Sequence, residues 1–432
     1  MSIQIENRLF INNEFVPSSD GVTFPVFNPA TEEHVTDVFQ AGTVDVDLAV
    51  DAALKAFPKW RDTPVVIKAS LFRKLADLII QHGDELAHLE RIAMGKPVGS
   101  FVFDKMACAG LFQHYANSAY FVQGDSSLNT NGMMNLTLKQ PYGVVAAIIP
   151  WNVSLIMFAM KAAAALAVGN AIIIKSSEKA PLACLKVAGL FKDAGFPPGI
   201  ISVLSGDGRV TGRLLAEHMK IRKIAFTGSV ETGKKIMQMA AASNLKNVTL
   251  ELGGKSPAVV FADANLDEAV KATEFSIHQN SGQHCQANSR IFAEASILDV
   301  FVKKFAALMS SRKLGSPEER DTFQGPQGDK LQQQRVLALI EDGKANGQLI
   351  LGGGEANVNG KVNVLSNTRT RFTNAAQGAY VQPTIFKNVN EESRIAREEI
   401  FGPVVMINSF ESEEDVLQRA NNSEFGLFGM YF

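Results

Sequence analysis

The sequence predicts an α/β protein built around a buried parallel sheet. From residue 143 onward, short apolar runs rich in Val and Ile alternate with helical stretches of about a dozen residues, which is typical of βαβ units. The runs are VVAAII, AIIIK, ISVL, KIAF, VTLEL and PAVVF. The chain has 432 residues, which is enough for two or three domains at roughly 150 residues each.

The predicted helices follow from apolar periodicity. Over residues 44–82 apolar side chains recur every three or four positions, which predicts helices with one buried face. Further helices are predicted over 157–168, over 181–194 and from residue 230. Residues 123–142 carry the polar turn NTNG between extended segments and predict a β-hairpin arm, whereas the Gly- and Asn-rich stretch 343–380 predicts a long loop or insertion.

Composition excludes several functions. The net charge is −2 and no basic run is interleaved with aromatic residues, which argues against a nucleic-acid partner. The apolar stretches fall short of the ~18 residues that a membrane span needs, and MSIQIENRLF has no signal-peptide pattern, so we expect a cytoplasmic protein. The three cysteines are too few and too widely spaced for a disulfide framework or a CxxC metal site.

The cysteine in NSGQHCQANSR is a candidate nucleophile. Cys285 lies among small and polar residues between a helical stretch and a strand, where its thiol is able to ionise, although a structural loop cysteine stays open as the alternative. Cys108 and Cys184 lie in helical apolar patterns and are interpreted as packing residues.

A second candidate is Glu251 in VTLELGGKSP. This carboxylate lies where a strand runs into a Gly-Gly turn, which is a typical position for an active-site base because glycines let other backbone approach closely. The alternative is a surface glutamate beside a turn. The same segment fails as a phosphate loop, since that motif needs glycine where Thr249 stands.

Three other segments bear on binding. GDGRVTG is a weak dinucleotide motif because Thr211 occupies a glycine position. FTGSVETG follows a strand and opens a helix, so its N–H groups and Ser229 are able to hold a pyrophosphate, or simply to cap the helix. In IIPWNVS, Asn152 is either an oxyanion donor or a helix N-cap.

Together these segments resemble the aldehyde dehydrogenase superfamily over nearly the whole chain. The matching motifs, in order, are PWN, K-x-x-E, FTGSxxxG, ELGGKSP, GQxC and EEIFGPV. The resemblance implies a Rossmann-like NAD-binding domain over residues 1–122 and 142–253, a β-hairpin oligomerisation arm over 123–141 and an α/β catalytic domain over 254–432. It therefore implies a homo-oligomer.

The resemblance also implies a mechanism. Cys285 would add to an aldehyde, Asn152 and the Cys285 N–H would hold the oxyanion, hydride would pass to NAD, and Glu251 would activate the water that hydrolyses the thioester. For that base we expect a carboxylate whose pKa burial has raised.

The cofactor site implied by the resemblance holds NAD rather than NADP, because a carboxylate at Glu178 repels a 2′-phosphate. Its residues are Trp151, Lys175, Glu178, Gly208, Phe226, Gly228, Ser229, Gly233, Leu252, Glu399 and Phe401.

The chain departs from the family pattern in its substrate tunnel and in two longer stretches. PWNVS replaces the usual PWNFP, and the expected tunnel residues are Val153, Met157, Met160, His284 and Gln286, with no metal ligand set among them. Residues 361–377 are an insertion or a retained intron, which sequencing of the spliced transcript distinguishes. The chain ends at EFGLFGMYF, which by the resemblance predicts a truncated C-terminus.

Two alternatives to an NAD-dependent aldehyde dehydrogenase stay open at this point. One is a truncated, catalytically silent homologue that binds nucleotide. The other is a thiol esterase that uses Cys285 and Glu251 without a cofactor, because thioester chemistry also accepts esters.

Overall fold

The computed structural model describes residues 5–356, 358 and 378–432, so the segment 361–377 lies outside the described residues. The chain divides into two compact units. The first comprises Met1–Val26, Val35–Glu90 and Val102–Glu251, and the second comprises Phe27–His34, Arg91–Phe101 and Leu252–Phe432.

The first unit contains a seven-stranded sheet. The strands up to the end of this unit are β1 (Leu9–Ile11), β2 (Glu14–Val16), β3 (Thr23–Phe27), β4 (His34–Phe39), β5 (Ser126–Ser127), β6 (Asn135–Leu136), β7 (Val144–Ile148), β8 (Ala171–Lys175), β9 (Ile201–Leu204), β10 (Lys223–Thr227) and β11 (Asn247–Glu251). The sheet order is β11-β10-β7-β8-β9-β1-β2, in which β7 to β11 are parallel and β1 runs antiparallel to both of its neighbours, β9 and β2. Strands β7 and β8 are buried on both faces, which explains their continuous apolar sequences.

The helices along this part of the chain include those predicted over 44–82, 157–168, 181–194 and from residue 230. They are α1 (Thr43–Arg61), α2 (Val65–Gln81), α3 (Gly83–Met94), α4 (Phe101–Ser118), α5 (Ser154–Ala167), α6 (Leu182–Ala194), α7 (Arg213–Glu217) and α8 (Val230–Ala242). Helix α6 ends at Gly195, whose φ of 96° is a left-handed conformation that glycine adopts without a steric penalty.

The predicted hairpin is present. Strands β5 and β6 pair antiparallel, with Ser126 opposite Leu136, around the NTNG turn. Several large apolar side chains of this hairpin are exposed, namely Leu128, Met133, Met134, Leu136 and Leu138.

The second unit contains a six-stranded sheet. Its strands are β12 (Pro257–Val260), β13 (Arg290–Glu294), β14 (Gln348–Leu351), β15 (Thr384–Lys387), β16 (Val404–Phe410) and β17 (Met430–Tyr431), in the order β14-β15-β16-β13-β12-β17. Its helices are α9 (Leu266–His278), α10 (Leu298–Ser311), α11 (Lys330–Asn346), α12 (Arg394–Arg397) and α13 (Glu413–Asn421). Only β14 runs antiparallel to its neighbour, and α9 and α10 bury Ile277, Phe301 and Phe305 against the sheet.

The predicted loop over residues 343–380 is wrong at its start. Helix α11 continues to Asn346 and β14 follows directly. The glycine that suggested a loop is inside the helix for a packing reason: a Cβ at Gly343 would lie 2.7 Å from both Ile395 Cδ1 and Phe386 Cε2. Tertiary packing therefore overrides the low helix propensity of this stretch.

Candidate active site

Cys285 follows a loop with an unusual backbone. After α9, residues 279–282 form a short helical turn in which Asn280, Ser281 and Gly282 have φ values of 49°, 58° and 71°. Left-handed backbone is costly for non-glycine residues and persists only where the surroundings hold it. At Gly282 a side chain has no room, because a Cβ would lie 2.0 Å from the carbonyl oxygen of Gly402.

Buried polar side chains hold this loop. The Gln283 amide donates to the Asn280 carbonyl oxygen at 3.0 Å, and its Oε1 accepts from the Gly328 N–H at 2.7 Å. The Ser281 hydroxyl donates to the Gly325 carbonyl oxygen at 2.9 Å. Loop geometry therefore depends on a segment more than forty residues away in sequence.

The three thiols differ in accessibility. Cys108 and Cys184 are fully buried, and burial raises the pKa of both thiols, so the interpretation as packing residues is confirmed. Cys285 is half-buried, in a turn in which the Ala287 N–H donates to the His284 carbonyl oxygen at 3.2 Å. Of the three, Cys285 is the thiol that a reactant is able to reach.

The Gly-Gly pair after β11 produces the close backbone approach that its sequence predicts. A Cβ on Gly254 would lie 2.2 Å from the Cys285 carbonyl oxygen, and one on Gly253 would lie 2.3 Å from Glu399 Oε2. The Gly254 N–H donates to Glu399 Oε1 at 3.1 Å. This turn therefore touches both the Cys285 backbone and the Glu399 carboxyl, and burial raises the pKa of Glu399 to about 6.

Lys255 has a structural role that its motif did not predict. The side chain is buried, and its Nζ donates to the Ile395 carbonyl oxygen at 2.6 Å and to the Glu398 carbonyl oxygen at 2.5 Å. Burial lowers the pKa of Lys255 to about 7. The lysine of GGKS thus anchors the segment that precedes Glu399.

Phe401 follows in a strained conformation. Its φ is 56°, and its carbonyl oxygen accepts from the Gln332 side-chain amide at 3.0 Å. A bulky residue with positive φ is uncommon and requires such support.

Glu251 ends β11 in the first unit, opposite Thr227 of β10. The expectation of a buried carboxylate is wrong, because Glu251 is exposed. The reason is that β11 is an edge strand with an alternating pattern, and Glu251 shares its exposed face with Asn247 and Thr249. Burial lowers the pKa of the nearby Lys161 despite the opposing charge of Glu251.

Asn152 is not a helix cap. The N-cap of α5 is Val153, which makes no side-chain capping hydrogen bond, so the capping interpretation of Asn152 is wrong. Asn152 is buried in the turn between β7 and α5, and Val153 is buried beside it. Further along α5, Met157 and Met160 are half-buried.

The turn after β10 is a regular helix start. Ser229 caps α8, with its hydroxyl oxygen accepting from the Thr232 N–H at 3.3 Å. Gly228 is required there, because a Cβ would lie 2.5 Å from the ring of Phe226. Gly233 is buried within α8. The first N–H groups of a helix have no acceptor within the helix. Those that Ser229 does not cap are therefore a potential anion site.

Lys175 and Glu178 form a pair at the end of β8. Lys175 is 2% exposed, its Nζ lies 3.4 Å from Glu178 Oε2, and burial lowers its pKa. The Glu178 side chain is 47% exposed and is held by a buried cation, an arrangement that suits hydrogen bonding to a ribose diol. Lys179 Nζ lies 4.9 Å from the centre of the Trp151 ring.

The remaining predicted residues have unremarkable settings. Gly208 begins a single π-helical turn capped by Asp207, and Leu252 is half-buried and begins the last segment of the second unit. His284 is half-buried and Gln286 is exposed.

Within residues 5–356, 358 and 378–432, no group of three His, Cys, Asp or Glu side chains is placed to hold a metal ion, and no helix is long and apolar enough to cross a membrane.

Comparison with known families identifies the chain. The model of the aldehyde dehydrogenase family matches residues 15–432. The chain belongs to the aldehyde dehydrogenase family.

Named relatives and solved structures extend this result. An aldehyde dehydrogenase of Alternaria alternata is 43% identical over 97% of this chain and 81% of its own length. Human retinal dehydrogenase 2 is 43% identical over 98% of this chain and 80% of its own length. The NAD⁺ complex of a Bacillus cereus aldehyde dehydrogenase superimposes with a TM-score of 0.92 at 40% identity, covering 99% of this chain and 84% of that one.

This aldehyde dehydrogenase is an oxidoreductase that uses NAD to oxidise an aldehyde. Its residues fit the adenosine end of NAD, because Glu178 offers an exposed carboxylate and α8 offers a capped N-terminus. They also fit a nucleophile, because the second unit presents one accessible thiol on a braced loop.

Proposed function

We propose that Cys285 is the nucleophile of this aldehyde dehydrogenase. Its thiolate adds to the aldehyde carbon, forming a C–S bond, and the resulting oxyanion accepts hydrogen bonds from Asn152 and the Cys285 N–H. The chemistry that NAD supplies when bound is acceptance of hydride from that carbon, which leaves a thioester on Cys285. The observation that carries this proposal is the single accessible thiol on a strained loop touched by Gly254.

Glu251 is proposed as the base of the second half-reaction. It takes a proton from water, the hydroxide adds to the thioester carbonyl, and the C–S bond breaks to release the acid and the Cys285 thiolate. Exposure of Glu251 supports access of water to its carboxylate. Glu178 and Lys175 are proposed to bind the adenosine ribose, and Glu399 and Phe401 the nicotinamide end.

The proposed substrate is an aldehyde with a sizeable apolar part. A cavity of about 1020 Å³ in the first unit is lined by Met160, one of the expected tunnel residues, and also by charged side chains that include Arg61, Lys68 and Lys161. Met adapts its shape to irregular apolar ligands. A 43% identical relative is named retinal dehydrogenase 2, which supports testing retinal together with aliphatic and aromatic aldehydes.

The test is NADH formation on mixing purified protein with NAD and the aldehyde panel. We expect Cys285→Ala to lower kcat by at least about 10³-fold, because the covalent route is lost. Cys184→Ala is the matched control, since it removes a buried thiol instead. Equal loss in both variants would contradict the proposal. Ester hydrolysis without NAD, in the absence of NADH formation, would favour the thiol esterase.

We also propose a cytoplasmic homo-oligomer that associates through the β5–β6 arm. Three cysteines that form no disulfide support a reducing compartment, and the exposed apolar side chains of the arm support burial in a partner subunit. Light scattering of the protein and of a Leu136→Asp variant tests this. A mass that is the same for both would count against the arm as an interface.

A further inference from the structure

A buried charged network lies at the C-terminal end of α9. Glu274 and His278 are one turn apart, both are 0% exposed, and Glu274 Oε1 lies 2.8 Å from His278 Nδ1. The Arg312 guanidinium donates to Glu274 Oε2 at 3.0 Å. On the other side of the ring, His278 Nε2 lies 2.6 Å from Gln324 Oε1.

The hydrogen bonds place an acceptor oxygen at each ring nitrogen of His278. The Gln324 amide nitrogen donates to the Val381 carbonyl oxygen at 2.7 Å, so its Oε1 is the atom that faces His278 Nε2. Glu274 is also an acceptor, because Arg312 donates to both of its oxygens. The imidazole is therefore held between two oxygen atoms that belong to different segments of the chain.

The Glu274 carboxylate carries the charge opposite to that of the Arg312 guanidinium. Burial raises its pKa, but hydrogen bonds from His278 and Arg312 outweigh that effect and hold the pKa of Glu274 below its usual range. Phe323 packs on two members of the network: its ring centre lies 5.1 Å from that of His278, in an edge-on arrangement, and 4.3 Å from the Arg312 guanidinium carbon.

The network connects α9 to the segment that holds the Cys285 loop. This bracing segment, residues 324–328, begins with Gln324, the partner of His278. Its Gly325 carbonyl oxygen accepts from the Ser281 hydroxyl, and its Gly328 N–H donates to Gln283 Oε1. The Gln327 amide donates to the Ser281 carbonyl oxygen at 3.2 Å. His278 thus joins the bracing segment to the helix at the point where the left-handed loop begins.

Stability alone does not explain such a network. Burying charges is costly, and in other proteins replacing a buried ionic cluster with apolar residues of similar volume is often neutral or stabilising. Residues 279–284 connect His278 to Cys285, and three of them are in left-handed conformations that the surroundings hold in place.

We propose that His278, held between Glu274 and Gln324, is a positioning residue for Cys285. It acts by holding the bracing segment against the end of α9, so that the loop presents the thiol in one orientation. This inference rests on the proposed role of Cys285 as the nucleophile, and the experiment below separates the two.

The experiment measures the rate of Cys285 alkylation by iodoacetamide in the full chain without NAD, with the modified cysteine identified by mass spectrometry, beside kcat for aldehyde oxidation. His278→Phe keeps a ring against Phe323 and removes the hydrogen bonds to Glu274 and Gln324. Glu274→Leu combined with His278→Phe also removes the carboxylate that would be left without its histidine partner. Asn265→Ala is the matched control, because it removes the N-cap of α9 at the opposite end of the same helix.

We expect His278→Phe and the double variant to slow alkylation and lower kcat by about tenfold to a hundredfold, since small misplacements of a reacting group have effects of that size. The double variant regains the Tm that His278→Phe loses but does not regain the alkylation rate. Asn265→Ala lowers Tm and leaves the alkylation rate unchanged.

Recovery of the alkylation rate in the double variant would reduce His278 to a purely structural role and overturn the inference. A wild-type rate in His278→Phe would also overturn it. Unselective alkylation of all three cysteines in the wild-type protein is a different failure, because it would remove Cys285 as the proposed nucleophile.

Discussion

Two loops with expected catalytic or binding roles are built differently. The turn at residues 227–233 contains its own support: Ser229 caps α8 through the N–H of Thr232, three residues further on. The loop at residues 279–289 has almost no regular structure, and Ser281 and Gln283 bond to Gly325 and Gly328. A local motif needs only its neighbours, whereas a strained loop needs distant partners to hold it.

The two loops differ because binding an anion and orienting a reacting group make different demands on the backbone. A helix N-terminus binds an anion wherever the helix forms, because its N–H groups are free of intrahelical partners. A nucleophile must also be oriented, and Cys285, the proposed nucleophile, lies in a loop that contacts the Gly254 turn and the bracing segment. Substitutions should therefore have larger effects in the loop than in the turn.

The largest effect is expected for Gly282→Ala. The new Cβ would meet the Gly402 carbonyl oxygen at 2.0 Å in a left-handed conformation, so we expect a loss of about 3 kcal/mol in unfolding free energy and a large fall in kcat. Urea unfolding and NADH formation measure both. The control is Gly110→Ala in α4, where a Cβ meets nothing within 4 Å. If both variants behaved alike, steric strain would not be the controlling factor.

A smaller effect is expected for Gln283→Leu. This change removes the acceptor of the Gly328 N–H and the donor to the Asn280 carbonyl oxygen, and each buried group left unpaired costs about 1 to 3 kcal/mol. We expect unfolding free energy to fall by about 2 kcal/mol, with slower alkylation of Cys285. A stable variant with a normal alkylation rate would show that the loop does not need the bracing segment.

Glu399 provides a pH test of the tertiary contacts. Its folded pKa of about 6 lies above the ordinary value of 4.5, so the folded state binds the proton more tightly. Its stabilising contribution is present below pH 4.5 and is lost as pH rises through 6. The stability of the wild-type protein relative to Glu399→Gln should fall by about 2 kcal/mol across that window. A difference that is flat with pH in urea titrations would contradict the burial of this carboxyl.

The smallest effect is expected for Ser229→Ala in the turn. Loss of an N-cap costs about 1 kcal/mol, and we expect NAD to bind only a few-fold more weakly because the backbone N–H groups remain. Calorimetric titration with NAD measures the affinity. A loss as large as that of Gly282→Ala would remove the distinction between the two loops.

Much of the fold was predictable because its signals are local. The apolar runs and helical periods around β7 to β12 place the strands and helices, since burial on two faces requires continuous apolar sequence. The exception at Gly343 arose because composition indicated a loop where close packing against Phe386 requires a glycine in a helix.

Motifs in the sequence predict roles for Cys285, Glu251 and Asn152, and those roles stay predictions. The surroundings of the candidate site had no such signal: the exposure of Glu251 follows from the edge position of β11, and the burial of Lys255 follows from carbonyl groups of residues 395 and 398. His278 belongs to no recognised motif. Its spacing of four residues from Glu274 nevertheless places both side chains on the same, buried face of α9, which helical periodicity could have indicated.

The sequence by itself determined which residues are chemically able to act, because thiol, carboxylate and amide chemistry and the turn preferences of glycine belong to the residues themselves. Only the tertiary structure decided how Cys285 is held, because left-handed backbone at Asn280 and Ser281 is unfavourable in isolation and depends on partners beyond residue 320. Those partners are distant along the chain, so no local pattern contains them.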